Sequence, residues 1–230
     1  MQVHSISLYP IGSHYIKMTT TSPRIVSLEG NIGAGKSTLL LDISKRLPPG
    51  WLFLQEPVHV WETFCDEQGK TMLTKFYEDP KQYAFAFQIM AYTTRLQALN
   101  ALLSQNPVGI VCERSLDADH HVFAKMLRDD GCLESVLYDI YVAQTATAPA
   151  LDSILYLDVN VETCLERIQK RGRVGEKGVQ LDYLRKCETY YASWITTTHT
   201  PKYTIRESGT MHNKSLADQV IDIIVQETFL

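Results

Sequence analysis

The 230-residue sequence lacks several features that would direct its interpretation elsewhere. No apolar run approaches the roughly 20 residues that span a bilayer, so we expect no transmembrane helix and no membrane partner. The five cysteines are an odd number without a C-x-x-C pair, which favours reduced thiols and a cytoplasmic location over disulfides or a zinc site. The net charge of −4 argues against a general nucleic-acid binder. What remains is a chain long enough for one substantial core.

The first 22 residues show no hydrophobic periodicity, and we predict that residues 1–22 form a disordered extension. A mitochondrial targeting peptide is the alternative, but such peptides are rich in arginine, and Lys17 is the one Lys or Arg in this stretch. Residues 23–230 contain neither an internal repeat nor a low-complexity linker. We therefore expect them to form a single domain.

Short apolar segments alternate with longer helical ones, which is typical of an α/β fold with a parallel sheet. Strands are predicted at residues 25–28, 51–54, 109–112, 154–159 and, less distinctly, 203–205. Helices are predicted at residues 38–47, 80–104, 161–172, 181–194 and 215–229. We expect about five parallel strands flanked by helices. Ligands of such sheets bind outside the carboxyl ends of the strands.

One segment matches the phosphate-binding pattern G-x-x-x-x-G-K-[ST]. It consists of Gly30, Asn31, Ile32, Gly33, Ala34, Gly35, Lys36 and Ser37, with Thr38 following. The segment lies between a predicted strand and a predicted helix, where backbone N–H groups and the helix N-terminus can bind phosphates. Lys36 can then reach the β- and γ-phosphates, and Ser37 can hold Mg²⁺. A chance glycine-rich turn is the alternative.

Charged residues follow two of the predicted strands. Glu56 ends the second strand, where a carboxylate can accept the proton of an attacking hydroxyl; a glutamate in a surface turn is the alternative. Glu113 and Arg114 end the third strand. Glu113 can hold Mg²⁺, and Arg114 can stabilise negative charge on a transferred group. A charge pair that caps the next helix is the alternative for these two.

Three arginines lie close together later in the chain. Arg167 and Arg171 stand at i and i+4 on one predicted helix face, where like charges repel unless an anion lies between them. Arg173 follows in a glycine-rich stretch, so the segment is suited to close over phosphates as a lid; a solvated basic turn is the alternative. His120 and His121 would point about 100° apart on a helix, which favours packing over metal binding.

The longest predicted helix has an unusual face. Ala84, Gln88, Ala91 and Arg95 follow the spacing i, i+4, i+7 and i+11 and share one side of the helix. Small residues beside polar ones fit the wall of a small-molecule pocket, with Gln88 and Arg95 as hydrogen-bonding groups. A helix with a solvated polar edge fits the spacing equally well.

In combination, these segments resemble the deoxyribonucleoside kinases from about residue 24 to residue 194. The motifs that carry the resemblance are residues 30–38, Gln55-Glu56-Pro57-Val58 with Trp61, Phe85-Ala86-Phe87-Gln88, Glu113-Arg114-Ser115, and residues 162–168 leading to Arg171-Gly172-Arg173. The resemblance implies a P-loop kinase fold with an arginine-rich lid, and Mg²⁺ with ATP as the phosphate donor. It also implies a homodimer through helices 80–104 and 116–128.

The resemblance implies a role for each site residue. Glu56 would be the general base for the deoxyribose 5′-hydroxyl, with Arg114 beside the 5′-oxygen and Lys36 on the phosphates. The residues near Mg²⁺ would be Ser37 and Glu113. The residues around the nucleoside would be Trp61, Phe87, Gln88 and Phe123 at the base, and Tyr77 and Glu176 at the 3′-hydroxyl. The lid arginines over the ATP phosphates would be Arg167, Arg171 and Arg173.

Arg95 and Asp119 bear on base preference. They stand where the resemblance places an Arg–Asp pair in the deoxycytidine and deoxyguanosine enzymes, whereas the thymidine-favouring enzymes carry apolar or small residues there. An arginine held by an aspartate presents donors to a base and narrows the pocket near a 5-methyl group. We therefore expect deoxycytidine or purine deoxynucleosides to be favoured over thymidine.

Two other functions share part of this pattern. A nucleoside-monophosphate kinase, such as thymidylate kinase, has the P-loop and the lid, but Glu56 would repel its acceptor phosphate. A non-catalytic accessory subunit keeps the fold but tends to lose catalytic residues, which are present here. We therefore expect transfer of the γ-phosphoryl group of ATP to the 5′-hydroxyl of a deoxyribonucleoside, in nucleotide salvage.

Overall fold

A five-stranded sheet forms the centre of the computed structural model, which describes residues 22–173, 175–206 and 215–228. The strands are β1 (Arg24–Gly30), β2 (Trp51–Leu54), β3 (Gly109–Glu113), β4 (Ser153–Asp158) and β5 (Lys202–Arg206). Their order is β2-β3-β1-β4-β5, and every neighbouring pair is parallel. The predicted α/β fold and its five strands are confirmed. The predicted extension, apart from Ser22, lies outside the described residues.

Helices cover both faces of the sheet. They are α1 (Lys36–Ile43), α2 (Val58–Trp61), α3 (Met72–Glu78), α4 (Pro80–Leu103), α5 (Leu116–Ala118), α6 (Lys125–Asp129), α7 (Ser135–Thr145), α8 (Val161–Arg171), α9 (Leu181–Thr197) and α10 (Leu216–Thr228). A π-helical segment, Asp119–Ala124, joins α5 to α6, and a 3-10 turn, Glu176–Gly178, precedes α9. Within the described ranges, no helix has both the length and the apolar character that crossing a membrane requires.

Several helices differ from the sequence prediction. The helix predicted at residues 38–47 begins earlier, at Lys36, because the phosphate-binding turn leads directly into it, and it ends at Ile43. The segment 116–128 is not one continuous α-helix, because the π-helical turn interrupts it. The sequence analysis does not predict α2, α3 or α7, and the first two are too short to show a hydrophobic period.

The core consists of two layers that the strands separate. Successive strand residues point to opposite faces, so Val26 and Leu28 pack with α1, α8 and α10, whereas Ile25 packs with α4 and α7. Strands β1 and β3 are buried almost throughout, as expected for a parallel sheet with helices on both sides. Polar residues at their carboxyl ends therefore collect at one edge of the sheet.

Helix α4 starts from a well-defined cap. The Asp79 side chain accepts a hydrogen bond from the backbone N–H of Gln82, and Pro80 occupies the first turn, where its missing N–H costs nothing. The face singled out in the sequence is buried, with Gln88 2% and Arg95 1% exposed. It is therefore not a solvated edge of the helix.

Candidate active site

A cavity of about 950 Å³ opens at the carboxyl ends of β1, β2 and β3. The predicted site residues that line it are Ile32, Gly33, Ala34, Gly35, Lys36, Ser37, Thr38, Glu56, Trp61, Tyr77, Phe87, Gln88, Glu113, Arg114, Asp119, Phe123, Arg167, Arg171, Arg173 and Glu176. Gly30, Asn31 and Arg95 lie behind this lining. The fold thus gathers residues from across the chain, as the strand-end argument predicts.

Two glycines show why the backbone path of the phosphate loop, residues 30–38, favours this residue type. Gly35 has a φ of 97° and Gly33 a φ of 80°, in the left-handed region that favours glycine. Gly33 also lies against α8: a Cβ atom on it would be 2.4 Å from the carbonyl oxygen of Cys164. The amide nitrogen of Asn31 donates to the carbonyl of Leu184 at 2.8 Å and fastens the loop to α9.

Lys36 is buried at the base of the phosphate loop. Its ammonium group donates to the carbonyl oxygens of Gly30 and Asn31, at 3.0 and 2.8 Å. Burial, reinforced by the charge of Arg114, lowers the pKa of Lys36 to about 8. The lysine therefore carries a positive charge at neutral pH and can give up carbonyl contacts for phosphate oxygens.

Ser37 and Glu113 meet at the start of α1. The Ser37 hydroxyl donates to Oε1 of Glu113 at 2.6 Å, and Oε2 of Glu113 accepts from the backbone N–H of Glu56 at 3.4 Å. A hydroxyl and a carboxylate beside a phosphate loop are the few oxygen ligands that Mg²⁺ takes from a protein when phosphates supply the others. These two residues therefore fit the predicted metal ligands.

Glu56 lies between two arginines. Its Oε1 is 3.1 Å from Nε of Arg114 and 3.2 Å from Nη2 of Arg95, and its side chain keeps 19% of its surface exposed. Burial raises the pKa of Glu56, but the charges of Arg114 and Arg95 outweigh it and hold the pKa down at about 2. Glu56 is thus an ionised carboxylate that faces the cavity.

Arg95 and Asp119 form the predicted pair. Nε and Nη2 of Arg95 donate to the two carboxylate oxygens of Asp119, at 2.9 and 3.4 Å, and Nη1 donates to the carbonyl of Glu113 at 2.9 Å. With Glu56 as a further partner, Arg95 has few donors left for a ligand. Asp119 lines the cavity, so Arg95 borders the pocket through its partners rather than directly.

Aromatic rings form part of the cavity wall. Trp61 and Phe87 meet edge to face, with ring centroids 5.6 Å apart, and the Trp61 indole N–H donates to Thr94 at 2.9 Å. Phe76 of α3 stacks on Phe87 at 4.5 Å. The sequence analysis missed Phe76, and the Thr71 cap of α3 was the signal that could have located its helix. Flat apolar walls of this kind suit a nucleobase.

Gln88 carries an unsatisfied polar atom. Its carbonyl oxygen Oε1 is buried and has no hydrogen-bond partner among the described residues. Leaving such an acceptor unpaired costs about 1–3 kcal/mol, which a ligand donor would recover. Gln88 therefore fits a residue that pairs with a base.

Arg171 and Arg173 both bind Glu176. The distances to its carboxylate oxygens are 2.6 and 2.9 Å, and Glu176 is buried. Tyr77 lies in the same part of the cavity; burial, followed by the charge of Glu176, raises its pKa. Arg167 donates to the carbonyl of Ala34 in the phosphate loop at 3.2 Å. Closure of this segment as a lid stays a prediction.

The imidazole rings of His120 and His121 pack against each other. His120 and His121 stack with centroids 4.4 Å apart, and Nε2 of His120 lies 3.3 Å from the Tyr138 hydroxyl. Within the described residues, no group of three or more His, Cys, Asp or Glu side chains could hold a metal ion.

Comparison with known proteins identifies the family of the chain. The model of the deoxynucleoside kinase family matches residues 26–228. The chain belongs to the deoxynucleoside kinase family. It is 34% identical over 195 residues to human deoxycytidine kinase, covering 74% of each chain. It is 33% identical over 197 residues to deoxycytidine kinase 2 of Gallus gallus, covering 75% of this chain and 74% of the relative.

A third relative has a different printed substrate. The chain is 32% identical over 193 residues to the mitochondrial deoxyguanosine kinase of Xenopus laevis, covering 74% of this chain and 72% of the relative. Membership of the family establishes that this deoxynucleoside kinase phosphorylates nucleosides. Its relatives are named for two different bases, so the family leaves the base open. The preferred base depends on the pocket.

Proposed function

We propose that the protein transfers the γ-phosphoryl group of ATP to the 5′-hydroxyl of a deoxyribonucleoside, with deoxycytidine or purine deoxynucleosides favoured over thymidine. The observation that carries the proposal is the position of Glu56. It is ionised, faces the cavity between the phosphate loop and the aromatic walls, and is held by Arg95 and Arg114.

The chemistry assigns a task to each group. Glu56 orients the 5′-hydroxyl and accepts its proton as the 5′-oxygen bonds to the γ-phosphorus. The bond from that phosphorus to the bridging oxygen breaks, and ADP leaves. Arg114, Lys36 and the arginines of residues 167–173 stabilise the negative charge on the three equatorial oxygens of the transferred group. Ser37 and Glu113 are the residues that would hold Mg²⁺, which neutralises phosphate charge when bound.

The proposed base preference rests on two polar residues of the cavity, Gln88 and Asp119. Gln88 offers a buried carbonyl to a base amino group and an amide N–H₂ to a ring nitrogen or carbonyl. Asp119, held by Arg95, adds an acceptor to the cavity that Ala91 also lines. We assign Tyr77 and Glu176 to the sugar 3′-hydroxyl, and Trp61, Phe87 and Phe123 to the base, because all of them line this cavity.

Comparison of four deoxynucleosides tests the proposal. With Mg-ATP we expect kcat/KM to be higher for deoxycytidine or a purine deoxynucleoside than for thymidine. Glu56→Gln should lower kcat by roughly 10²- to 10⁴-fold and leave nucleoside binding unchanged, because a general base acts in the transition state. Glu67→Gln, in the exposed loop between α2 and α3, is the matched control. Unchanged kcat in Glu56→Gln would contradict the role of Glu56.

The two alternatives have separate tests. A monophosphate kinase would turn over deoxynucleoside monophosphates faster than deoxynucleosides, although Glu56 repels an acceptor phosphate. An accessory subunit would turn over none of them while remaining folded. The intact set of Lys36, Ser37, Glu56, Glu113 and Arg114 favours the kinase over both.

A homodimer is part of the proposal. The segment 116–128 is largely buried, so the exposed apolar side chains next to α4 are on α7 instead: Val136 is 58% and Ile140 46% exposed. Helices α4 and α7 pack side by side, and a second copy placed on them would cover these residues. Light scattering should give the mass of a dimer, and Val136→Glu with Ile140→Glu the mass of a monomer.

The five free cysteines support a reducing, cytoplasmic location.

A further inference from the structure

A carboxylate that the proposed mechanism does not use lies buried at the end of β1. Glu29 has no exposed surface and directly precedes the phosphate loop. Its Oε1 accepts hydrogen bonds from the hydroxyls of Ser115, at 2.6 Å, and Ser27, and its Oε2 accepts from the Tyr191 hydroxyl at 3.1 Å. A buried carboxylate is tolerated only when its oxygens have partners, and three hydroxyls provide them.

Tyr191 connects this carboxylate to the candidate active site. The residue is fully buried in α9, and its hydroxyl oxygen accepts a hydrogen bond from Nη1 of Arg114 while its proton points to Glu29. Nη1 of Arg114 also donates to the carbonyl of Gly30 at 3.1 Å. On its other edge, Nε of Arg114 faces Glu56. Tyr191 and the carbonyl of Gly30 therefore hold one side of the guanidinium, and its other side faces Glu56.

The backbone of Arg114 shows that its position is fixed. Its φ of 63° lies in the left-handed region, which disfavours a residue with a Cβ atom. Its N–H donates to the carbonyl of Leu28 at 3.0 Å, and its guanidinium lies 4.8 Å above the ring of Phe123. Main chain and side chain are thus both tied to neighbouring elements, and β1 supplies Leu28, Glu29 and Gly30.

We infer that Glu29 and Tyr191 are positioning residues for the reaction, because their hydrogen-bonded chain fixes the guanidinium of Arg114 against Glu56. Neither residue lines the cavity, so both act through Arg114. The inference rests on the proposed function and extends it to groups behind the site. It predicts that their loss changes the rate of transfer and not the binding of the nucleoside.

Tyr191→Phe tests the inference because it removes the hydroxyl and keeps the ring. We expect kcat to fall about tenfold, the effect of one lost hydrogen bond to a charged group, with KM for the deoxynucleoside unchanged. Tyr141→Phe is the matched control. Tyr141 is equally buried, but its hydroxyl has no hydrogen-bond partner in the described part of the chain, so kcat should stay at the wild-type value.

A double-mutant cycle with Arg114→Ala separates positioning from a structural role. If Tyr191 acts through Arg114, Tyr191→Phe should cause no further loss of single-turnover rate in the Arg114→Ala protein. Equal losses with and without Arg114 would overturn the inference. Glu29→Gln, which keeps the shape and replaces one acceptor oxygen with an N–H₂ donor, should behave like Tyr191→Phe and serves as the second variant.

The outcomes distinguish this inference from the proposed function. A wild-type protein that phosphorylates deoxynucleosides, with an unaltered kcat in Tyr191→Phe and Glu29→Gln, would overturn the inference alone. A folded wild-type protein that phosphorylates none would overturn both.

Discussion

The phosphate loop and the pocket formed by Glu56, Arg95, Arg114 and Asp119 belong to one cavity, but their buried positive charges are compensated in different ways. In the loop, the ammonium group of Lys36 is held by the backbone carbonyls of Gly30 and Asn31. In the pocket, Arg95 and Arg114 are held by side-chain carboxylates, notably Glu56 and Asp119. The loop therefore depends on the path of its backbone, and the pocket depends on the identity of its side chains. Different substitutions should damage each one.

Among the changes that distinguish the two regions, the largest effect should come from a single added methyl group in the loop. In Gly33→Ala the new Cβ would clash with the carbonyl of Cys164, so either the loop or α8, which carries Arg167, must move. We expect kcat/KM for ATP to fall roughly 100-fold, the order that a misplacement of about 1 Å produces, with nucleoside affinity unchanged.

Gly69→Ala is the control for this prediction. Gly69 has a φ of 78°, close to the 80° of Gly33, but no atom lies within 4 Å of a Cβ placed on it. Both variants therefore carry similar backbone strain, and only one clashes. Equal loss of ATP kinetics in the two proteins would contradict the dependence of the loop on its backbone path.

The next effect should come from removing a charge pair in the pocket. In Arg95→Met with Asp119→Ala, we expect the kcat/KM ratio of deoxycytidine to thymidine to fall about 30-fold, which is about 2 kcal/mol of lost polar recognition. kcat should also fall for every nucleoside, because Glu56 loses one of its two arginines.

Thermal unfolding provides the control for the pocket variant. Asp119→Ala alone removes the two-contact partner of buried Arg95 and leaves Glu56 as its remaining carboxylate partner, and a buried charge that loses a partner is costly. The single variant should therefore unfold at a lower temperature than the double variant. The reverse order would contradict the pairing of these two side chains as the basis of the pocket.

The smallest effect should come from pH, which distinguishes the two regions without mutation. Lys36 has a pKa of about 8 and must be charged to bind phosphates, so kcat/KM for ATP should fall about tenfold from pH 7 to pH 9. Glu56 has a pKa of about 2, so kcat/KM for the nucleoside should show no loss from its protonation down to pH 5. Rates for ATP that stay level to pH 10 would contradict the first statement.

Contiguous features of the molecule could be predicted from the sequence, and features made by packing could not. The phosphate loop is one uninterrupted segment, and each buried strand is an apolar run, so local pattern was sufficient for both. The contact of Arg95 with Glu56 joins residues 39 positions apart. The spacing on α4 predicted that Arg95 lies on the same helix face as Gln88. It did not predict that Asp119, Glu113 and Glu56 already occupy the donors of Arg95.

Short elements were the other limit of prediction. Helix α3 has seven residues, too few for a hydrophobic period, although it supplies Phe76 to the aromatic wall. The π-helical segment shifts the register between Asp119 and Ala124 and cannot be recognised from residue types. Glu29 directly follows a predicted strand, and two of its three hydroxyl partners, Ser115 and Tyr191, come from distant parts of the chain.

The carboxylate shared by Arg171 and Arg173 has a consequence for how the binding of one substrate affects the binding of the other. Glu176 occupies both arginines, and it lies in the same part of the cavity as Tyr77. In the proposed reaction, an incoming triphosphate would compete for these arginines, and each arginine that it binds would release a carboxylate oxygen of Glu176 for the sugar hydroxyl. Thermodynamic coupling of this kind is reciprocal. Each substrate would therefore bind more tightly in the presence of the other, because the binding of both depends on the buried carboxylate of Glu176.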